Sequence, residues 1–296
     1  MYSIKIEKKV IMAKPFILHR GLRKSQEFPN SFEALRDQHG IELEIDVFLI
    51  GDQIAVLHNK DSFILDDGAT ERRVEYMSQK AVEGMTWNKL KTMHVTGTRT
   101  GKKGEPVPLL RDYIIESFEQ NDILDIELKA STPRRAAKLA EAVIREIHQL
   151  RLLGFFADRP QYPKKHIRIV TTSIEAVEAI QKTDYDLGEH ILCSLMWLPS
   201  PSAAKNDPLA KTVLKRPEWK NAEQQIKKNW TKVGIEIAKN LDCHAIALHK
   251  TAITKDIVDA AHLENIDVYA LVVNHPRQAK RFLSLGVDKI ITESQP

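Results

Sequence analysis

The stretch ELEIDVF, residues 42–48, reads as a β-strand with one apolar face and one acidic face. Because side chains alternate along a strand, the three apolar residues point one way and Glu42, Glu44 and Asp46 point the other. We expect Glu42, at the start of the strand, to be solvated. Glu44 and Asp46 lie further along an apolar run, and their mutual repulsion predicts that a positive charge faces them.

Short apolar runs of this kind recur along the chain, and amphipathic helical segments separate most of them. Asn30 or Ser31 is expected to cap the first helix. Ser173 and Thr254 are placed to cap two later helices, and Pro133 lies in the first turn of another. The apolar runs predict eight strands, at residues 15–19, 43–48, 123–128, 167–172, 190–197, 245–249, 268–273 and 289–292.

The alternation of strands and helices predicts a parallel sheet. Eight strands favour a (β/α)8 TIM barrel, which takes about 250 residues, and we expect residues 1–296 to form one such domain. The structural alternative is an open doubly wound sheet, which usually carries a glycine-rich phosphate loop after its first strand. Here the first strand ends in His19-Arg20-Gly21, and the sequence contains no G-x-G-x-x-G.

A further apolar run, QIAVLH at residues 53–58, follows the acidic strand across a short Gly-Asp turn. So short a link joins antiparallel strands, and the paired residue numbers in the hairpin then sum to about 103 or 104. This register places His58 opposite Ile45 or Asp46, beside the acids.

Two stretches lie outside the barrel pattern. Residues 59–106 follow the hairpin and are expected to form a small insertion. Residues 198–232 follow the fifth strand and contain eight Lys or Arg residues against three Asp or Glu residues. Because loops after barrel strands lie on the catalytic face, this basic segment is either a lid over an anionic substrate or a solvated helical insertion.

The composition is that of an ordinary globular protein, with 43% apolar and 28% charged residues. The formal net charge of +4 is compatible with a small anionic substrate and too weak to favour nucleic acid. The two cysteines, Cys193 and Cys243, form no spaced motif, so we expect a reducing compartment, the cytoplasm. We find no secretory signal and no apolar run long enough to span a membrane.

Polar residues stand at the carboxyl ends of the predicted strands, where barrel enzymes place their active sites. The acids Glu44, Asp46 and Glu127 would converge there, and three such carboxylates need either shared protons or a cation. Ligation by oxygen alone suits Mg²⁺, Ca²⁺ or Mn²⁺, whereas zinc is disfavoured because the first strand has no His-x-His. We therefore predict a divalent metal held by these three residues.

Two histidines and two cations accompany the acids. Arg20 and Lys129, next to a metal with open positions, favour an anionic oxygen ligand such as phosphate. His19 and His58 suit general acid and general base catalysis near neutral pH. The predicted reaction is metal-assisted cleavage of a phosphodiester.

These residues resemble the motifs of the glycerophosphodiester phosphodiesterase family. The family's His-Arg-Gly stands at residues 19–21, its Glu-x-Asp-Val at 44–47, its hairpin histidine at 58, its Glu-x-Lys at 127–129, and its last-strand motif, as GVDKIITESQP, at 286–296. The resemblance covers nearly the whole chain. It implies a barrel of this type with a small insertion after the hairpin, and hydrolysis of glycerophosphodiesters to glycerol 3-phosphate and an alcohol with Mg²⁺ or Ca²⁺.

The resemblance also implies a role for each residue of the set. Glu44, Asp46 and Glu127 would be metal ligands, His19 and His58 the acid/base pair, and Arg20 and Lys129 phosphate contacts. Several family positions differ here: Pro-Glu-Asn-Thr is Phe-Pro-Asn-Ser at 28–31, His-Asp is His58-Asn59, Trp-Thr-Val-Asn is Leu-Val-Val-Asn at 271–274, and the final Thr-Asp is Thr292-Glu293.

These differences leave the alcohol part of the substrate open and allow two other functions. The first is a lysophospholipase D activity on lysophospholipids, in which Trp197, Trp219 and Trp230 would contact a membrane surface. The second is a non-catalytic binding protein on the same barrel; loss of a metal ligand would favour it, but all three ligands are present in the sequence.

Overall fold

The computed structural model describes residues 15–21, 28–36, 42–66, 68, 70–97, 100–120, 122–197 and 223–293; for residues 223–229 it describes the backbone. Within these ranges the strands are β1 Phe16–His19, β2 Glu42–Ile50, β3 Gln53–Val56, β4 Ser62–Asp66, β5 Glu71–Glu75, β6 Met93–Thr96, β7 Lys103–Pro106, β8 Ile123–Leu128, β9 Ile167–Thr171, β10 Leu192–Trp197, β11 Ala245–His249, β12 Asp267–Leu271 and β13 Lys289–Thr292.

Eight of the described strands are parallel and close into a barrel in the order β1-β2-β8-β9-β10-β11-β12-β13. Closure is direct, because β1 pairs with β13 on one side and with β2 on the other. The predicted TIM barrel is therefore confirmed, and the open doubly wound sheet is excluded. Strand β12 ends earlier than predicted, before Val272, whose φ of 47° is rare for a β-branched residue and breaks the extended backbone.

Most of the described helices lie on the outside of the barrel between its strands, as is usual for parallel sheets, and two short ones, Gln79–Glu83 and Trp87–Leu90, lie within the insertion at residues 59–106. They are α1 Phe32–Arg36, α2 Gln79–Glu83, α3 Trp87–Leu90, α4 Leu110–Gln120, α5 Pro133–Leu152, α6 Tyr162–His166, α7 Ile174–Leu187, α8 Glu223–Asn240, α9 Lys255–Leu263 and α10 Pro276–Ser284.

The helix starts follow the predicted caps. Ser31, rather than Asn30, caps α1: its Oγ accepts the N–H of Ala34 at 3.1 Å. Ser173 and Thr254 accept the corresponding N–H groups of α7 and α9. Each cap satisfies an N–H group that has no partner inside its helix.

The alternation along β2 decides which side chains enter the barrel. Leu43, Ile45 and Val47 face outward and pack in the large core between strands and helices. The middle of the barrel interior is filled by a small apolar cluster of inward residues, Ile17, Ala245, Ala247, Tyr269 and Ile291. Charged residues lie on both sides of this cluster, at the amino and carboxyl ends of the strands, and the interior is therefore a packed core rather than a pore.

The prediction that Glu42 is solvated is wrong. Glu42 is buried at the amino end of the barrel, where its carboxylate accepts from Arg168 Nη2 at 2.8 Å and from Lys289 Nζ at 2.5 Å. Arg168 also forms a bidentate pair with Asp125, with two contacts of 2.7 Å. The inward face of β2 is closed off from solvent at this end, and each charge in the network has an opposite charge beside it.

The hairpin has one of the two predicted registers. Strand β3 pairs antiparallel with the second half of β2, and the paired residue numbers sum to 103, as in Val47 with Val56. The first half of β2 pairs with β1 and β8 instead, so the hairpin extends β2 past the barrel rim on the catalytic face.

Residues 59–106 include a second, four-stranded antiparallel sheet in the order β5-β4-β6-β7. Its core includes Phe48 and Ile50, which lie on the same face of β2 as the acids. Helix α2 joins this insertion to the barrel, because Glu83 accepts the backbone N–H of Ser131 at 2.7 Å.

Most of the basic segment 198–232 lies outside the described residues, up to residue 222, and so does Trp219. Helix α8 begins at Glu223. Trp197 and Trp230 pack against each other with ring centroids 4.5 Å apart, and both are buried. These two rings are therefore not exposed for the lipid contact considered for them. Among the helices of the described residues, none has the length and apolar character needed to cross a membrane.

Candidate active site

A tight turn at the end of β1 places the first site residues. Arg20 and Gly21 both adopt left-handed conformations, with φ of 54° and 68°. A side chain at Gly21 would come within 3.0 Å of the Cβ of Ala34, so glycine meets both the backbone and the space requirement here. The turn directs the backbone N–H of Arg20 at Glu44, whose Oε2 accepts it at 3.0 Å.

The three predicted acids come together at the carboxyl ends of neighbouring strands. Glu44 and Asp46 point inward from β2, and Glu127 lies beside Asp46 in the register of β8. One carboxylate oxygen from each lies within 4.8 Å of the others, and all three residues are buried. Glu127 therefore lies beside Glu44 and Asp46, as expected, although it is far from them in the sequence.

The electrostatics of the trio fit a bound cation. Burial, reinforced by repulsion from Asp46 and Glu127, raises the pKa of Glu44 well above its usual value. Its Oε1 is buried and has no hydrogen-bond partner among the described residues. An unsatisfied buried carboxylate oxygen beside two further carboxylates is a donor set of hard oxygens, which suits a cation such as Mg²⁺ or Ca²⁺. These three residues can hold a divalent metal.

Both predicted histidines border the acids. Nε2 of His19 lies 3.8 Å from Glu44, and its Nδ1 lies 3.6 Å from Oε1 of Glu293. His58, at the end of the hairpin, is buried, and its Nδ1 accepts the backbone N–H of Lys60 at 3.1 Å. Burial lowers the pKa of His58 to about 3, with Arg20 and Lys129 adding to the effect.

Both predicted cations contact Asp46. Nε of Arg20 lies 3.2 Å from Oδ2, and Nζ of Lys129 lies 3.0 Å from Oδ1 while also contacting Glu127. Although burial opposes ionisation of Asp46, Lys129, His58 and Arg20 outweigh it and hold its pKa below the usual range. Asp46 is therefore ionised at neutral pH, and it links Glu44 and Glu127 to Arg20 and Lys129.

The site as described has the features of a known family, and a family model agrees. The model of the glycerophosphoryl diester phosphodiesterase family matches residues 19–294. The chain belongs to the glycerophosphoryl diester phosphodiesterase family. The predictions of this family and of an enzyme of this class are thus confirmed.

Solved structures with this fold cover almost the whole chain. One, a protein from Silicibacter pomeroyi that carries the family name, has a TM-score of 0.65 at 16% identity, covering 94% of this chain and 89% of the other. A glycerophosphodiester phosphodiesterase from Parabacteroides distasonis has a TM-score of 0.62 at 18% identity, covering 94% and 92%. A phosphodiesterase from Oleispira antarctica, solved with the product sn-glycerol-3-phosphate, has a TM-score of 0.60 at 18% identity, covering 94% and 92%.

No curated protein sequence matches the chain significantly. At identities this low, the solved relatives of the glycerophosphoryl diester phosphodiesterase family establish the barrel fold of this member.

Residues in or near the altered family motifs include side chains that we did not predict as site residues. The first is Asn30, the position of the Phe-Pro-Asn-Ser stretch that keeps the family's asparagine. Asn30 is fully buried and holds Asp46 from two sides: its Nδ2 donates to Oδ2, and its Oδ1 accepts the backbone N–H of Asp46, both at 3.1 Å. Glu27, which stands next to this motif, lies outside the described residues. Asn30 keeps a left-handed φ of 53°, which asparagine tolerates well.

Asn59 departs from the family's His-Asp motif. Its amide turns away from the acids and donates to the carbonyl of Met77 at 2.9 Å. Asp61, two residues later, is buried and pairs with Nη1 of Arg20 at 3.0 Å. The sequence contains one signal, because Asp61 follows His58 by three residues. Nothing in the sequence indicates that the side chain of Asp61 faces the site.

Glu293 is a third site residue that we did not predict. Its Oε2 accepts from Asn274 Nδ2 at 2.7 Å, and its backbone N–H donates to Oδ1 of the same asparagine at 2.9 Å. His19 lowers the pKa of Glu293. The carboxylate is thus held between Asn274 and the first histidine.

Proposed function

We propose that this protein hydrolyses glycerophosphodiesters to glycerol 3-phosphate and an alcohol in a metal-dependent reaction. The observation that carries the proposal is the convergence of three buried carboxylates with two flanking histidines and two cations at one barrel mouth. Membership of the family supports the substrate class, and the product found with the Oleispira antarctica relative is consistent with it.

Glu44, Asp46 and Glu127 would hold the metal, Mg²⁺ or Ca²⁺. Such a cation, when bound, neutralises charge on the phosphoryl oxygens and lowers the energy of the in-line transition state. Arg20 and Lys129 would bind the non-bridging phosphate oxygens, since each presents a positive charge beside the acids.

The histidines would divide the proton transfers according to their ring contacts. The carboxylate of Glu293 near Nδ1 of His19 favours a proton on that nitrogen, which leaves Nε2 free to accept a proton from the attacking water. His58 accepts the N–H of Lys60 at Nδ1, so the neutral ring carries its proton on Nε2. As the general acid, His58 would act as the imidazolium, with a second proton on Nδ1 in place of the Lys60 contact, and would give its Nε2 proton to the leaving oxygen. A bound phosphodiester brings a negative charge that raises the pKa of His58 toward the working range.

Of the other two functions, neither gains support from the described residues. The buried Trp197 and Trp230 remove two of the three aromatic contacts expected of a lipid-directed lysophospholipase D. The complete set of acids, histidines and cations argues against a non-catalytic binding protein. A cytoplasmic location and the absence of a nucleic-acid partner stay predictions.

The test is a screen of glycerophosphodiesters and lysophospholipids with Mg²⁺ or Ca²⁺, with a chelator in a matched series. We expect release of glycerol 3-phosphate from glycerophosphodiesters that stops on chelation and returns when the metal is restored. Activity that survives exhaustive chelation would contradict the metal-dependent mechanism, and release of lysophosphatidic acid alone would point to lysophospholipase D.

A His19→Ala variant is expected to fold normally and lose roughly 100- to 1000-fold in kcat, because a positioned general base contributes about that much. His19 is partly exposed at the mouth, so its removal leaves no large cavity. The measurement is steady-state turnover, with thermal unfolding as the folding control. Turnover at the wild-type rate would remove His19 from the mechanism.

An Arg20→Ala variant is expected to lower kcat/KM by about 100-fold while metal binding persists, because Arg20 contacts the acids through Asp46 but supplies no ligand oxygen. Metal binding is followed by the rise in Tm on adding Mg²⁺ or Ca²⁺, in parallel with turnover. Loss of the metal-induced rise would show that Arg20 is needed for the metal site and not only for the phosphate.

A further inference from the structure

The guanidinium of Arg20 is held between two carboxylates of different kinds. Its Nε lies 3.2 Å from Asp46, a candidate metal ligand, and its Nη1 lies 3.0 Å from Asp61, which is outside the metal-binding trio. A cation bound by Asp46 would offset its negative charge, and the electrostatic attraction between Asp46 and Arg20 would then weaken. Asp61 then remains as the nearby negative charge that fixes the guanidinium.

Asp61 is itself fixed by the loop that follows the hairpin. Its backbone N–H donates to the carbonyl of His58 at 3.0 Å, and its Oδ2 accepts the backbone N–H of His58 at 3.3 Å. The side chain is only 7% exposed. The same three-residue loop therefore positions the second histidine and presents a carboxylate to Arg20.

Loop closure alone does not require a charge at this position. An asparagine could accept the N–H of His58 equally well, whereas a buried carboxylate so close to Asp46 is unfavourable unless a cation faces it. Burial and the charge of Asp46 raise the pKa of Asp61 to about 6, and the pairing with Arg20 opposes that rise. The hydrogen bonds between Asp61 and the loop therefore do not explain why this buried position carries a carboxylate.

We propose that Asp61 is a positioning residue for the reaction: it orients the guanidinium of Arg20 so that its remaining N–H groups face the phosphate of the substrate. Arginine presents five N–H donors in a rigid planar fork, so fixing Nη1 on one carboxylate sets the direction of the others. This role rests on the proposed function of the site.

The test is a double-mutant cycle with Asp61→Asn and Arg20→Ala. Asp61→Asn keeps the shape and the loop hydrogen bond and removes the charge. We expect it to lower kcat/KM by about 10- to 100-fold, the range for residues that support a functional group, with the metal-induced rise in Tm unchanged. If Asp61 acts through Arg20, the double variant is no worse than Arg20→Ala alone.

Lys129 supplies the matched control, because it contacts Asp46 and Glu127 but not Asp61. In a cycle of Asp61→Asn with Lys129→Ala, the two losses in kcat/KM are expected to multiply. Should Asp61→Asn not fold, Asp61→Glu takes its place: the carboxylate is shifted by one methylene, and the same dependence on Arg20 is expected.

The outcomes separate this role from the proposed function itself. A wild-type protein that cleaves no glycerophosphodiester overturns the proposed function. If the wild type is active, two results overturn the positioning role and leave Asp61 as a loop-closing residue. In the first, the Asp61→Asn variant keeps full kcat/KM. In the second, the loss in kcat/KM caused by Asp61→Asn multiplies with the loss caused by Arg20→Ala.

Discussion

A Glu44→Gln variant is expected to lose about 10⁴-fold in kcat/KM, together with metal binding. A catalytic metal supplies several kcal/mol of charge stabilisation, and each 1.4 kcal/mol is about tenfold in rate. The amide keeps the size of the side chain and its contact with the backbone N–H of Arg20, so the change removes charge and little else. Turnover and the metal-induced rise in Tm are measured on the same preparations.

Without metal, the same variant is expected to be more stable than the wild type at pH 7. Because burial raises the pKa of Glu44 in the folded protein, the unfolded chain releases this proton from about pH 4.3 upward while the folded protein still retains it, and the stability of the wild type falls over that range. Glutamine has no charge to bury, so its advantage should grow from acid to neutral pH and disappear below about pH 4. Thermal unfolding in chelator across this range tests the sign.

Glu42→Gln is the matched control, two residues earlier on the same face of β2. Glu42 lies at the opposite end of the barrel, paired with Arg168 and Lys289. This control should lower Tm and keep both the metal-induced rise and most of the activity. If Glu44→Gln retained metal binding and turnover, the proposed metal site would be wrong.

The second large effect concerns stability. Arg168→Met is expected to lower the free energy of unfolding by about 3–5 kcal/mol, because it leaves Asp125 and Glu42 buried with one cation fewer. Arg168 is 7% exposed and makes three charged contacts of 2.7–2.8 Å. Domains are stable by only about 5–15 kcal/mol, so a loss of this size should be obvious in urea denaturation.

Arg36→Met is the control for this change. Arg36 also contacts two carboxylates, Glu105 at 2.7 Å and Glu116 at 3.1 Å, but its side chain is 51% exposed. Surface pairs contribute about 0–1 kcal/mol, so the control should barely move the unfolding midpoint. Equal losses in the two variants would mean that burial does not set the strength of the Arg168 network.

Much of this site could be predicted because its signals are local. Strand alternation placed Glu44 and Asp46 on one face, and a two-residue turn limited the hairpin to two registers, both of which bring His58 back to them. Glu127 could be added because the carboxyl ends of parallel barrel strands meet on one face. Each of these inferences needs the spacing of a few residues and a rule about strands, and no knowledge of distant partners.

The residues that escaped prediction depend on partners far away in the chain. Glu42 shares a face of its strand with Glu44 and Asp46, but its partners Arg168 and Lys289 lie 126 and 247 residues further on. Asp61 meets Arg20 across 41 residues. The alternation of side chains along a strand predicts the direction in which each one points. Whether a charged side chain then contacts solvent or an opposite charge depends on the closed barrel.

The sequence by itself thus determined the eight-stranded barrel, the acidic trio and the histidines and cations beside it, because periodicity and strand-end position are written into short segments. The tertiary structure alone decided that the amino end of the barrel holds a buried ionic network, that Asn30 contacts Asp46, and that Asp61 pairs with Arg20. Burial and pairing arise only when the barrel closes, since a charge acquires its environment from every strand and loop packed around it.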